Sequence, residues 1–260
     1  MTDPAARHQI TRIRREPRRR TLTVAAVEPL GAAMRRIRFT CDDLADFDSA
    51  APDDHIKLFL PGGEREGGRP AMRDYTPRAF DRAAGSLTID FALHGQGAEV
   101  GPATAWAQAA APGDTIQIGG PRGSTVIADD FDWYLLIGDE TAIPAISRRI
   151  EELRADARIV AVVSVLDGVE RPQMPTHPGL RLHWSPRGTE ADGGVALLAS
   201  LAEVTLPSGE GLVWIGAEAT AARAVRSFVI AERGHPAAWI KASGYWLAGE
   251  RGAHTKIGDE

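Results

Sequence analysis

The hydrophobic periodicity of this chain changes once, near residue 130, and that change limits the architecture more than any other feature of the sequence. From Leu22 onward, short β-type segments are separated by turns: Leu22–Val27, Met34–Phe39 with apolar and basic residues alternating, His55–Leu60, Asp74–Pro77, Ser86–Leu93 and Thr115–Gly119. Pro61-Gly62-Gly63 is expected to stop the third of them, Glu64–Pro70 reads as a polar glycine-rich loop, and Pro112-Gly113-Asp114 reads as a turn. One short helix is expected near Ala103–Ala110, behind Gly101-Pro102. Antiparallel strands this short and this closely spaced form a small β-barrel. After Asp130 the order becomes strand (Trp133–Ile137), helix (Ile143–Arg154), strand (Ile159–Leu166), strand (Leu180–Trp184), helix (Val195–Leu201), strand (Leu212–Ile215), helix (Thr220–Glu232) and strand (Ala238–Ser243). Near-continuous apolar strands alternating with helices predict a parallel sheet with crossover helices. The expected fold is therefore a two-domain β + α/β chain: an N-terminal antiparallel β-barrel over residues 21–128, then a nucleotide-binding-type α/β domain over 129–260.

Residues 1–20 are set apart by Arg12, Arg14, Arg15, Arg18, Arg19 and Arg20. They read as a basic, solvated, partly disordered arm; a net charge of -5 over the 260 residues argues against a nucleic-acid partner. This segment lacks an apolar run of the secretory type, and no stretch approaches the roughly 18 apolar residues of a membrane span. A cytoplasmic protein without an integral membrane segment is expected. Cys41 is the single cysteine, which excludes an internal disulfide, a cysteine redox pair and an iron–sulfur cluster held by this chain's own thiolates. The seven histidines show neither an HExxH motif nor paired i, i+4 spacing, so no metal site is expected. Electron-transfer chemistry on such a chain needs an organic cofactor.

Arg73-Asp74-Tyr75-Thr76 places Arg73 and Tyr75 on one face of an extended segment. A guanidinium there can pair with a phosphate while the ring lies along a flat cofactor, although alone such a pair more often serves packing. Asp90-Phe91-Ala92-Leu93-His94-Gly95 follows, and Gly101-Pro102-Ala103 opens the short helix, whose free first-turn amides suit a pyrophosphate. In the second half G-x-G-x-x-G is absent, and Gly138-Asp139-Glu140-Thr141-Ala142-Ile143-Pro144 joins a strand to a helix where open α/β sheets bind ligands. The same segment reads as a capped helix start with Asp139 or Thr141 as N-cap, and the two roles are compatible. Gly216-Ala217-Glu218-Ala219-Thr220 repeats the arrangement.

Taken in order, R-x-Y-T, D-F-x-x-H-G, G-P-A-x-x-W, P-G-D, G-P-R-G (Gly120-Pro121-Arg122-Gly123) and G-D-E-T-A-x-P-A resemble the siderophore-interacting protein family, from about Thr21 to Gly249. The resemblance implies FAD in the barrel, with Arg73 at its phosphates and Tyr75 and Thr76 against the isoalloxazine. Asp90, Phe91, His94, Gly95, Gly101, Pro102 and Ala103 would continue that site; for His94, a turn histidine bonded to backbone is the equal alternative. Asp139, Glu140, Thr141 and Ala142 would fall on the NADH or NADPH side. Arg187 and Arg223 are candidates for a 2′-phosphate or are surface charge.

The activity so implied is NAD(P)H:ferric-siderophore reduction, Fe(III) to Fe(II), by a monomer with no catalytic acid or base of its own, since the cofactor carries the chemistry. Two alternatives stand beside it: a flavin reductase serving a separate protein partner, and a siderophore-binding protein without redox activity. Lys57, Arg122, Lys241 and Arg251 are the candidate substrate contacts, and for Lys57 a strand lysine keeping its head in water is the alternative. Family members often carry a basic residue directly after a C-terminal Tyr-Trp pair, whereas here Tyr245-Trp246 is followed by Leu247 and Ala248. Either Lys241, Arg251 or Lys256 supplies charge for an anionic catecholate, or the chelate is a less anionic type such as a hydroxamate.

Overall fold

The computed structural model describes residues 7–65, 69–94, 100–248 and 255–257. They fall into two compact units: Gln9–Ile127 with Glu170–Gln173, and Ala128–Val169 with Met174–Glu260 and the start of the chain as far as His8.

In the first unit, seven strands form one antiparallel sheet: β2 (Arg19–Pro29), β3 (Met34–Thr40), β4 (Ile56–Arg65), β5 (Arg69–Tyr75), β6 (Pro77–Asp81), β7 (Ser86–Ala92) and β8 (Thr115–Gly119), in the order β5-β4-β8-β2-β3-β7-β6. The two edges, β5 and β6, are consecutive in the chain and separated by Thr76 alone. A single residue spans at most about 3.6 Å, so the sheet must curl until its edges meet. Period-two alternation supplies the filling: Leu22, Val24, Ile37, Phe39, Ile56, Leu58, Leu60, Leu87, Ile89, Ile116 and Ile118 point inward and are buried. Helix α1 (Pro102–Ala109) adds Ala103 and Ala107 to that core.

The N-terminal segment departs from the arm expected of it. Ile10–Arg14 forms β1, paired antiparallel with β9 (Gly123–Ile127), and β2 starts at Arg19, inside the stretch read as disordered. The cause is charge pairing that a sequence read residue by residue does not display. Arg15 reaches Asp48, Arg18 bridges Asp43 and Asp46, and Arg20, only 5% exposed, donates to Asp46 and to the Asp43 carbonyl. Asp46 is held down at about 2 by its hydrogen bonds from Arg20 and Arg18. Pro61-Gly62-Gly63 does not end β4; it falls at a register irregularity between Leu60 and Glu64, and the strand continues to Arg65. The expected Glu64–Pro70 loop is correspondingly reduced, since β5 already begins at Arg69.

The second unit has a six-stranded sheet of order β12-β11-β10-β13-β14-β15: β10 (Trp133–Gly138), β11 (Arg158–Leu166), β12 (Leu180–Arg187), β13 (Gly211–Glu218), β14 (Ile240–Trp246) and β15 (Thr255–Ile257). The first five in that order pair in parallel and β15 is antiparallel. Helices α2 (Ile143–Glu152), α3 (Gly193–Glu203) and α4 (Ala219–Ala231) make the crossovers. β10 is flanked by β11 on one side and β13 on the other, which places the topological switch point between the C-terminal ends of β10 and β13. No helix of the described residues is long and apolar enough to cross a membrane.

Candidate functional site

The barrel unit brings the first set of residues together at its seam. Tyr75 pairs in register with Ile56 and Arg73 with Leu58, so both take the inward face of the β4–β5 pair. The Tyr75 ring tilts onto Phe91 of β7 at 4.6 Å, and Phe91 in turn meets Trp106 of α1 at 5.7 Å. Burial pushes the Tyr75 phenol well above its ordinary range, so it is a neutral ring at any physiological pH. Thr76 is 6% exposed at the link between the two edges. His94 is tied to the same helix, its backbone N–H donating to Thr104 Oγ1 at 3.2 Å. Asp90 differs from expectation: its side chain is 2% exposed and bound by Arg36 at 2.7 and 2.8 Å, with Arg78 at 3.8 Å. It orients arginines, and any contribution to a ligand passes through them. Gly95 lies outside the described residues.

Helix α1 is open at its N-terminus. Gly101 provides no side-chain cap, no acidic residue stands in the first turn, and a Cβ built on Gly101 would meet nothing within 4 Å. Among the described residues, first-turn amides without a side-chain cap, a positive dipole end and space beside Gly101 are what a pyrophosphate requires, so this unit fits FAD.

The outward face of the same strands carries different chemistry. Lys57 pairs with Asp74 in register, and its ammonium binds that carboxylate at 2.8 and 3.1 Å. Around it opens a cleft of about 200 Å³ whose walls include Arg18, Arg19, His55, Lys57, Phe59 and Arg122. Lys57 and Arg122, both anticipated, are thus joined; Arg18 and Arg19, read as part of the basic arm, and His55 and Phe59 were not expected at this cleft. Lys57 and Phe59, two apart on β4, share a face, but the strands that neighbour them could not be named from the sequence without the register. Lys241 sits on β14 of the other unit, opposite Trp214 of β13, and Arg251 lies outside the described residues.

In the α/β unit the switch point is stapled from within. Asp139 Oδ1 accepts from the Thr141 N–H at 3.0 Å, while Oδ2 accepts from Glu218 N–H and Trp246 Nε1, both at 2.9 Å. One carboxylate therefore ties the ends of β10, β13 and β14. Gly138 makes this approach feasible, since a Cβ there would come within 2.5 Å of the Gly216 carbonyl oxygen. Glu218 caps α4 by accepting from Thr220 and Ala221 N–H groups at 2.6 and 2.9 Å. Glu140 turns inward to Arg187 at 2.9 and 2.8 Å, the two side chains being 4% and 2% exposed. Burial, and then Asp139 next to it, push the Glu140 carboxyl above its usual range against the opposing pull of Arg187. Arg187 is consequently no 2′-phosphate ligand; Arg223 stands exposed on α4. Ala142 is fully buried, which leaves backbone and Thr141 as the loop's outward surface.

A barrel with a helix N-terminus at its seam, followed by a parallel sheet with a stapled switch point, is the two-domain fold of the ferredoxin reductases, and its family matches make it that of an FAD-binding oxidoreductase. The Plasmodium falciparum ferredoxin-NADP+ reductase shares the fold with a TM-score of 0.64 at 9% identity, covering 82% of this chain and 90% of that one. Residues 23–68 and 62–125 match the siderophore-interacting FAD-binding domain, and residues 131–249 match the siderophore-interacting protein domain. The NADPH-dependent ferric-chelate reductase of Escherichia coli (strain K12) is 32% identical over 255 residues, spanning 91% of this chain and 96% of that protein. A siderophore utilization protein from T. fusca superposes with a TM-score of 0.82 at 33% identity, covering 94% and 98% of the two chains. The chain belongs to the siderophore-interacting protein family.

Proposed function

We propose that this protein is a cytoplasmic, monomeric NAD(P)H:ferric-siderophore reductase that uses FAD to convert Fe(III) chelates to Fe(II) and so release the iron. The observation that carries the reading is the cleft on the barrel unit. A chain of net charge -5 gathers Arg18, Arg19, Lys57 and Arg122 around a space of small-molecule size. Local positive potential on an acidic protein suits a small anionic substrate.

FAD, when bound, supplies the exchange between a two-electron nicotinamide donor and a one-electron metal acceptor. The chain's own residues bind and orient. Arg73 and the first turn of α1 would hold the phosphates, and the neutral Tyr75 ring would lie against the flat ring system. In balance, one NAD(P)H and two ferric chelates give one NAD(P)+, one proton and two ferrous chelates.

Anaerobic stopped-flow absorbance tests the reading. The flavin band is expected to bleach with NADPH or NADH and to return on mixing with a ferric siderophore. A flavin that bleaches and is not reoxidised by any ferric chelate would point to a protein acceptor. A protein that cannot be loaded with FAD would overturn the proposal altogether.

A further inference from the structure

We infer that Arg19 is a substrate-specificity residue of this reductase, selecting polyanionic iron chelates over near-neutral ones; the inference rests on the function proposed above. The argument begins with register. Gly119 of β8 stands opposite Arg19 of β2 on one side and opposite Lys57 of β4 on the other. Residues in register share a face, so Arg19, Gly119, Lys57 and Asp74 form one row across four adjacent strands. With strands about 4.8 Å apart, the two cations flank a gap about 10 Å wide at the backbone. Gly119 puts no side chain into that gap, and a Cβ there would press on the Phe59 ring at 3.2 Å. The Phe59 ring lies over the glycine and gives the row an apolar floor between the two cations.

The cations differ in how much charge they offer. The ammonium of Lys57 is already matched by Asp74, and Arg18 by Asp43 and Asp46. Arg19 has no carboxylate partner among the described residues; its guanidinium lies over the Phe59 ring, 4.2 Å from the centroid. A guanidinium resting on a ring face can still offer N–H groups to an anion, an arrangement that Lys cannot reproduce. Arg122, likewise without a carboxylate partner among the described residues, stands on the same cleft. Uncompensated positive charge thus comes from the start of β2, more than 200 positions before the Tyr245-Trp246 pair in the sequence, after which the expected basic residue is missing.

Redox-inert gallium(III) chelates separate this assignment from the reductase reading, because their binding requires no electron transfer. Calorimetric titration of the FAD-loaded protein would use a gallium(III) hexadentate tris-catecholate, which carries several negative charges, and a near-neutral gallium(III) tris-hydroxamate. Arg19→Ala is expected to weaken the catecholate complex about fivefold or more while changing the hydroxamate complex less than about twofold. Arg19→Gln, which keeps the stem over Phe59, should show the same selective loss, and Arg19→Lys an intermediate one. Flavin absorbance and near-ultraviolet circular dichroism of each variant report its folding. Equal losses for both chelates, or none for either, overturn the assignment. Should the native protein bind gallium catecholate through Arg19 yet reduce no ferric chelate, the reductase reading falls and the assignment stands. Ferric reduction that Arg19 variants leave equally selective does the reverse.

Discussion

Replacing Arg187 by Met leaves the Glu140 carboxylate buried without its counter-charge, and the consequence can be worked out in size and in pH dependence. The pair is enclosed, 2% and 4% exposed, with contacts of 2.9 and 2.8 Å and Ser164 Oγ at 3.4 Å from the guanidinium. Removing one partner of such a pair costs about 3–5 kcal/mol, whereas replacing both by apolar side chains is close to neutral. Arg187→Met is therefore expected to destabilise the α/β unit by that amount, and addition of Glu140→Leu to restore most of it. Five of the six tryptophans, Trp133, Trp184, Trp214, Trp239 and Trp246, lie in this unit, so urea unfolding followed by tryptophan fluorescence reports on it. The sign with pH follows from Glu140, whose carboxyl burial already raises in the native fold. A carboxyl with a raised folded pKa contributes stability that is full below its unfolded value and lost as pH rises through the folded one. Without Arg187 the folded value rises further, so the deficit of the variant should shrink as pH falls toward about 5 and grow toward about 8. A loss under about 1 kcal/mol, a double variant no better than the single, or a deficit that deepens in acid would refute the reasoning.

Gly101→Asp should lower FAD retention, because the open space above Gly101 admits a carboxylate that takes the first-turn amides of α1 and repels a pyrophosphate; reconstitution of apoprotein followed by flavin fluorescence measures it. Asp74→Asn removes the counter-charge of Lys57 and should lower KM for anionic ferric chelates about two- to fivefold relative to near-neutral ones, read from steady-state NAD(P)H oxidation. Gly138→Ala forces a Cβ to within 2.5 Å of the Gly216 carbonyl oxygen and 2.6 Å of the Ala142 Cβ; a loss of about 1–3 kcal/mol or more is expected in the same fluorescence assay.

The order of strands and helices was legible because period-two and period-3.6 patterns are local. Met34–Phe39, expected as a strand, is the inner part of β3, and Ile143–Arg154, expected as a helix, became α2 with its last turn cut at Glu152. The motifs marked the seam of the barrel and the switch point for the same reason: each is a short run whose chemistry is visible in sequence. What escaped was pairing between distant residues. Arg15, Arg18 and Arg20 looked like a solvated tail until Asp43, Asp46 and Asp48 were found opposite them. Asp139 as an N-cap was legible, since Thr141 N–H donates to it, but the pairing of Asp139 with Glu218 and Trp246, and of Glu140 with Arg187, comes from elsewhere in the chain. Arg19, Gly119 and Lys57 are separated by dozens of residues and meet only through register.

The one-residue passage from β5 to β6 would give a cofactor bound at the seam a mechanical role as well as a chemical one. A curled sheet whose edges do not bond is a ring with a cut in it, and the cut here runs beside Arg73, Tyr75 and Thr76, with Phe91 facing it from within. A ligand held by those residues acts as a clasp across the cut. Its binding free energy would then resist opening of the ring, so under the proposed placement of FAD, holding the flavin and holding the barrel shut would be one equilibrium seen from two sides. Amide hydrogen exchange along Arg69–Tyr75 and Pro77–Asp81 should therefore slow on addition of FAD more than exchange along the strands farthest from the cut.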